Sequence, residues 1–152
     1  MDAEQTGTVL LLQVPRTNEK KELAAEQMLA SLHGLLHGGS IGFFKTNVRE
    51  HVSFEIAVKA KRIGFYVWVP EALKSYVEEQ IYAQYPNVHI TAVEDYAAVP
   101  TTANTTLCAE LKFSADQELP IKTLPSFEVD PLDAITATLA KVEEHEGVWI
   151  QV

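Results

Sequence analysis

"KRIGFYVWVPEALKSYVEEQIYAQYPN", residues 61–87, carries a strand-like stretch into a helix across one proline. In its first half Ile63, Phe65, Val67 and Val69 alternate with Tyr66 and Trp68, the period of two of a strand with one face buried. Pro70 is well placed to open the helix that follows, where Leu73, Val77, Ile81 and Gln84 recur at helical spacing until Pro86 and Asn87 end it. Tyr66 and Trp68 are thereby turned away from the apolar row. What covers those two rings decides how the sheet is used.

Working outward, "VSFEIAV" (Val52–Val58) alternates in the same way, and "KAKR" (Lys59–Arg62) joins the two runs as a hairpin with a short polar loop. The inward rows are Val52, Phe54, Ile56 and Val58 facing Ile63, Phe65, Val67 and Val69. Further upstream "TVLLLQV" (Thr8–Val14) is a short apolar run of strand length, ended by Pro15. Thr17 or Asn18 can cap a helix whose apolar stripe is Ala25, Met28, Leu29, Leu32, Leu35 and Leu36. Glu19 and Glu22 suit its first turn, and Gly38-Gly39 stops it. "VHITAV" (Val88–Val93) supplies another strand. Strand, helix, strand, strand, helix, strand is the split βαβ order of a ferredoxin-like fold, with both helices on one sheet face.

After Val93 the pattern breaks. Residues 94–105, with Pro100 among threonines, alanines and an asparagine, read as a linker. "TLCAELKF" (Thr106–Phe113) alternates as a strand, and "LPIKTLP" (Leu119–Pro125) reads as an irregular second arm or as a loop, limited by its prolines. "DPLDAITATLAKVEEHEG" is a helix capped by Asp130, with Pro131 in its first turn and Gly147 at its end, and "VWIQV" closes the chain as a strand. The expected class is therefore α+β: a ferredoxin-like βαββαβ half (1–93), a linker (94–105), and a second, partial ferredoxin-like ββαβ half (106–152) packed on the first. That second half would bury Tyr66 and Trp68 between the two. The stop inside an apolar strand reads either as a domain cut from a longer protein or as a natural C-terminal strand tucked into the sheet.

The chain's 152 residues are 47% apolar and 22% charged, which fits a folded domain with one core. No apolar run nears the roughly 18 residues of a bilayer span, and Met1–Glu4 lacks the basic start of a secretory signal. A net charge of −9 repels phosphate backbones, so direct nucleic-acid binding is disfavoured. The local exception is Lys59, Lys61 and Arg62 near Tyr66 and Trp68, an interaction surface that an RNA-recognition-like platform would use. The single Cys108 excludes an internal disulfide, and its strand neighbours make it a buried or half-buried thiol.

Little chemistry is legible. His33 and His37 are four apart on the first helix, the spacing for two metal ligands, yet they lie beside the apolar stripe and need further ligands such as His51 or Glu26. "HGGSIG" (His37–Gly42) follows a helix rather than a strand, so its glycines read as helix termination, not a phosphate cradle. The chain has no GxxxxGK[ST] and no G-x-S-x-G, and its paired carboxylates at Glu78-Glu79, Glu94-Asp95 and Glu143-Glu144 read as solvated surface. No catalytic residue and no cofactor is expected.

The stretches "AAEQMLASLHG", "SFEI", "FYVWVP", "QIYAQYP" and "FEVDPLDAI" carry a resemblance over nearly the whole chain. The sequence resembles the N-terminal domain of unknown function of large bacterial proteins similar to the ATPases of type IV secretion and conjugation, with a HerA/FtsK-like motor further along. The resemblance implies an accessory domain of a hexameric motor, cytoplasmic and often near a membrane, with protein partners or self-association through the motor. It transfers no catalytic residue, and the motor's Walker motifs are absent from these 152 residues. The leading expectation is a non-catalytic assembly domain. A nucleic-acid platform and a small-molecule-sensing module are the alternatives.

Overall fold

A computed structural model describes residues 6–18, 22–37, 51–97, 105–112, 114 and 128–152. They form an α+β structure with one five-stranded antiparallel sheet and three helices. In chain order these are β1 (Gly7–Gln13), α1 (Glu22–His37), β2 (Ser53–Lys59), β3 (Arg62–Pro70), α2 (Lys74–Gln84), β4 (His89–Val93), α3 (Pro131–Leu139) and β5 (Gly147–Gln151). The strand order is β4-β1-β3-β2-β5. The fifth strand, at the β2 edge, sets the sheet apart from a simple four-stranded split βαβ.

The alternation in β3 sets one face of the sheet. Leu10 lies opposite Val67, and Val67 opposite Phe54, so these side chains share a side. There Leu10, Val67 and Val69 pack with Met28 and Leu32 of α1 and with Val77 and Ile81 of α2 in a single buried cluster. Each such side chain contributes on the order of 1.5–3 kcal/mol by leaving water. The buried stripe of α1 is Ala24, Met28 and Leu32, one step round from the expected one, and Leu29 is exposed. Phe65, expected inward, is 45% exposed.

The β2–β3 hairpin closes as expected, through Ala60 and Lys61, both at positive φ (49° and 59°). Two left-handed residues give a two-residue turn whose twist matches that of the strands. Pro70 belongs to β3, opposite Gly7, and the helix begins after a 3-10 turn at Glu71–Leu73. The Thr8 hydroxyl donates to Glu71 Oε2 at 2.6 Å, tying this turn to β1.

The C-terminal region departs most from expectation. Residues 105–112 form no strand, and Leu107, Cys108 and Leu111 are exposed, so the thiol is not buried. The alternation there had promised a strand, and the described residues show none. The second arm at 119–125 and the glycines at 38–42 lie outside the described residues. Asp130 caps α3 by accepting from the Leu132 N–H at 2.8 Å. The helix ends at Leu139 rather than before Gly147. Glu143, Glu144 and Glu146 explain this, because negative charge at a helix C-terminus opposes the macrodipole. They form a turn instead, in which the Glu146 N–H donates to the Glu143 carbonyl at 3.1 Å. β5 then pairs with β2 and extends the first sheet.

Candidate functional site

The face of the sheet away from α1 and α2 carries the rings raised by the sequence. Glu55 lies opposite both Tyr66 of β3 and Gln151 of β5, so all three project to this open face. Trp68, Ser53, Ala57 and Trp149 share it by the same registers. Tyr66 is covered by Tyr96, with ring centroids 4.5 Å apart, and Tyr96 meets the edge of Trp149 at 6.2 Å. Trp68 is covered by His51, stacked at 4.6 Å with 14° between the planes. Both β3 rings are half-buried.

Glycine lets these rings lie flat along their strands. A Cβ at Gly7 would collide with the Trp68 ring, and one at Gly64 would sit 2.7 Å from the Tyr66 ring. Ala57, small and buried, lies opposite both Gly64 and Trp149.

At the centre is Glu55, a carboxylate only 6% exposed. The Tyr96 hydroxyl donates to Glu55 Oε2 in a short hydrogen bond, and Gln151 Nε2 donates to Oε1 at 3.2 Å. Burial raises the Tyr96 pKa well above the ordinary phenol value, and the hydrogen bond to Glu55 raises it further. Tyr96 is held over the sheet by a local turn in which the Ala97 N–H donates to Asp95 Oδ1 at 2.8 Å. Beside this clamp is a shallow cleft of about 450 Å³ lined by His51, Val52, Ser53, Glu55, Trp68, Gln151 and Val152.

The sequence-predicted residues distribute as follows. Lys59 and Arg62 face each other on the open face at the hairpin end, about four residues or ~13 Å of strand from Tyr66. Lys61 in the turn pairs with Glu143 at 3.3 Å. The basic groups and the aromatic rings therefore share a face. His33 is exposed on α1, beside a groove that includes Glu26 and Leu29, whereas His51 is engaged on Trp68. Among the described residues no group of three His, Cys, Asp or Glu side chains could hold a metal ion.

Residues 2–152 match the family described as a domain of unknown function, DUF8128. The chain belongs to that family. No curated protein and no solved structure matches it. Among the described residues no helix is long and apolar enough to cross a membrane.

Sequence reasoning missed Glu55, Tyr96, Trp149 and Gln151, which organise this DUF8128 face, and raised His51 only as a metal ligand. Glu55 occupied a solvent-facing slot in an alternating strand, and Tyr96 sat in a stretch read as linker. A usable signal was nonetheless present. "IGFYVWV" and "GVWIQV" both place a glycine two residues before an open-face aromatic, the spacing that lets a ring fold back over its own strand.

Proposed function

We propose that this chain is a non-catalytic assembly domain whose contacts run through the outer edge of β5. The observation that carries the reading is that edge itself. β5 pairs with β2 on one side and ends the sheet among the described residues. On its helix-side row Val148 is 38% and Val152 is 88% exposed. Its sequence, Gly147–Gln151, has neither the charge nor the proline by which edge strands usually resist pairing. The opposite edge, β4, exposes His89, Thr91 and Ala92 and offers less apolar surface.

The occupant we assign to this edge is residues 105–112 of a second copy. Leu107 and Leu111 there are 91% and 92% exposed, and with Ala109 they form one side of an alternating run. Added to β5, that side covers Val148 and Val152, while backbone hydrogen bonds extend the sheet. The aromatic clamp, by contrast, is built from contacts within one chain, which supports a structural role for it. The ferredoxin-like reading is supported by the β4-β1-β3-β2 order with α1 and α2 on one face, β5 being an addition. Resemblance to secretion and conjugation motors supports placing this assembly role in such a machine.

Light scattering across a concentration series tests the proposal. The expected result is a mass rising above the 16.9 kDa of one chain, returned to that value by Leu107→Lys or Val148→Lys. A chain that stays monomeric to about 100 μM, weaker than most specific assemblies, overturns it.

A further inference from the structure

The cleft beside Glu55 contains an imbalance that the assembly role leaves unexplained. A carboxylate withdrawn from water is ordinarily paired with a cation, because hydrogen bonds from neutral donors replace only part of its hydration. Glu55 is held by a phenol and an amide, both neutral. Among the described residues the ion pairs are Lys61–Glu143 and Lys112–Glu110, and neither involves Glu55. Each Glu55 oxygen receives one of these bonds and can accept another.

The cleft gives access to this group. Ser53, one pair along β2 from Glu55 on the same face, adds a hydroxyl, and Gln151 adds a second amide function. Trp68, pinned against His51, and Val152 form apolar walls. A short apolar stem ending in three donors matches this arrangement: the donors meet Glu55, Ser53 and Gln151, while the stem lies between Trp68 and Val152. We propose that the cleft binds a primary ammonium group on an alkyl chain, supplied either by a free alkylamine or by a lysine side chain of another protein. The chain's net charge of −9 favours the approach of such a cation.

The test uses n-butylammonium as probe and n-pentanol as its neutral counterpart, with backbone amide NMR shifts as readout. Butylammonium is expected to shift the amides of Ser53, Glu55 and Gln151 with a dissociation constant on the order of 1 mM, and pentanol to bind at least about tenfold more weakly. Glu55→Gln retains an acceptor for Tyr96 and is expected to abolish the difference between the two probes. Ser53→Ala, which leaves the clamp intact, is expected to weaken butylammonium alone. N-acetyl-lysine amide separates the sources: tighter binding than butylammonium identifies a protein lysine, and equal or weaker binding a free amine. The proposal is overturned if pentanol binds the wild-type chain as well as butylammonium does, or if butylammonium leaves these amides unshifted at 50-fold the expected constant, roughly 50 mM.

Discussion

The two faces of the one sheet are closed by different physics. On the helix side, apolar side chains of β1 and β3 meet those of α1 and α2, and among the described residues nothing polar is buried with them. On the open side two strands contribute flat-lying rings, glycines give them room, and a buried carboxylate fastens Tyr96 over the sheet. The helix side depends on volume, so it tolerates exchange among apolar side chains of similar size. The open side depends on particular atoms, so single substitutions there act through sterics and hydrogen bonding.

The largest effect should come from the helix side. Leu10→Ala empties a fully buried position between β3 and the helices and is expected to lower unfolding free energy by about 3 kcal/mol in urea titrations, whereas Leu10→Met should cost less than about 1.5. Gly7→Ala, a single methyl on the open side, is expected to cost about 2 kcal/mol because the Trp68 ring must leave its seat against His51. If Gly7→Ala proves neutral, the ring is not pinned and the contrast between the faces weakens.

Tyr96→Phe removes one donor from Glu55 and is expected to cost about 1.5 kcal/mol at neutral pH. The same residue has a pH signature. Its folded-state pKa lies above its unfolded value, so its contribution is complete below the ordinary tyrosine pKa of 10.0 and is lost as pH rises above that value. Stability of the wild-type chain should therefore fall more steeply above that pH than stability of Tyr96→Phe. Alkaline difference absorbance should show a late-ionising tyrosine in the wild-type chain that is missing from Tyr96→Phe. The smallest effect is a gain: Ala60→Gly relieves a left-handed residue in the hairpin turn and should raise stability by about 0.5 kcal/mol, net of the extra chain entropy.

This contrast also explains what was legible in the sequence. Apolar periodicity is a volume signal, and it located β1, β2, β3, β4, α1 and α2 and the rows that meet in the core. It gave way where charge or pairing geometry governs. α3 stops at Leu139 because of three glutamates that helical periodicity does not weigh, and Thr106–Lys112 alternates yet is not a strand among the described residues. The open-face clamp was hidden because Glu55, Tyr96 and Gln151 are polar residues far apart in the chain, and strand register alone brings Glu55 against Gln151. Tyr66 and Trp68, which the sequence raised as rings expected to lie between two halves, are half-buried. Their cover comes from Tyr96 and His51, side chains flanking β4 and β2.

The central claim is that contacts with a second copy run along β5 while the open-face rings are covered by side chains of the same chain. Amide hydrogen exchange at low and high protein concentration tests it most directly. The account predicts that residues 105–112 and the outward amides of β5 gain protection together as concentration rises, with Glu55 and Tyr66 protected throughout. Protection that is independent of concentration in both segments, or that appears at Tyr66 and Trp68 instead, would contradict it.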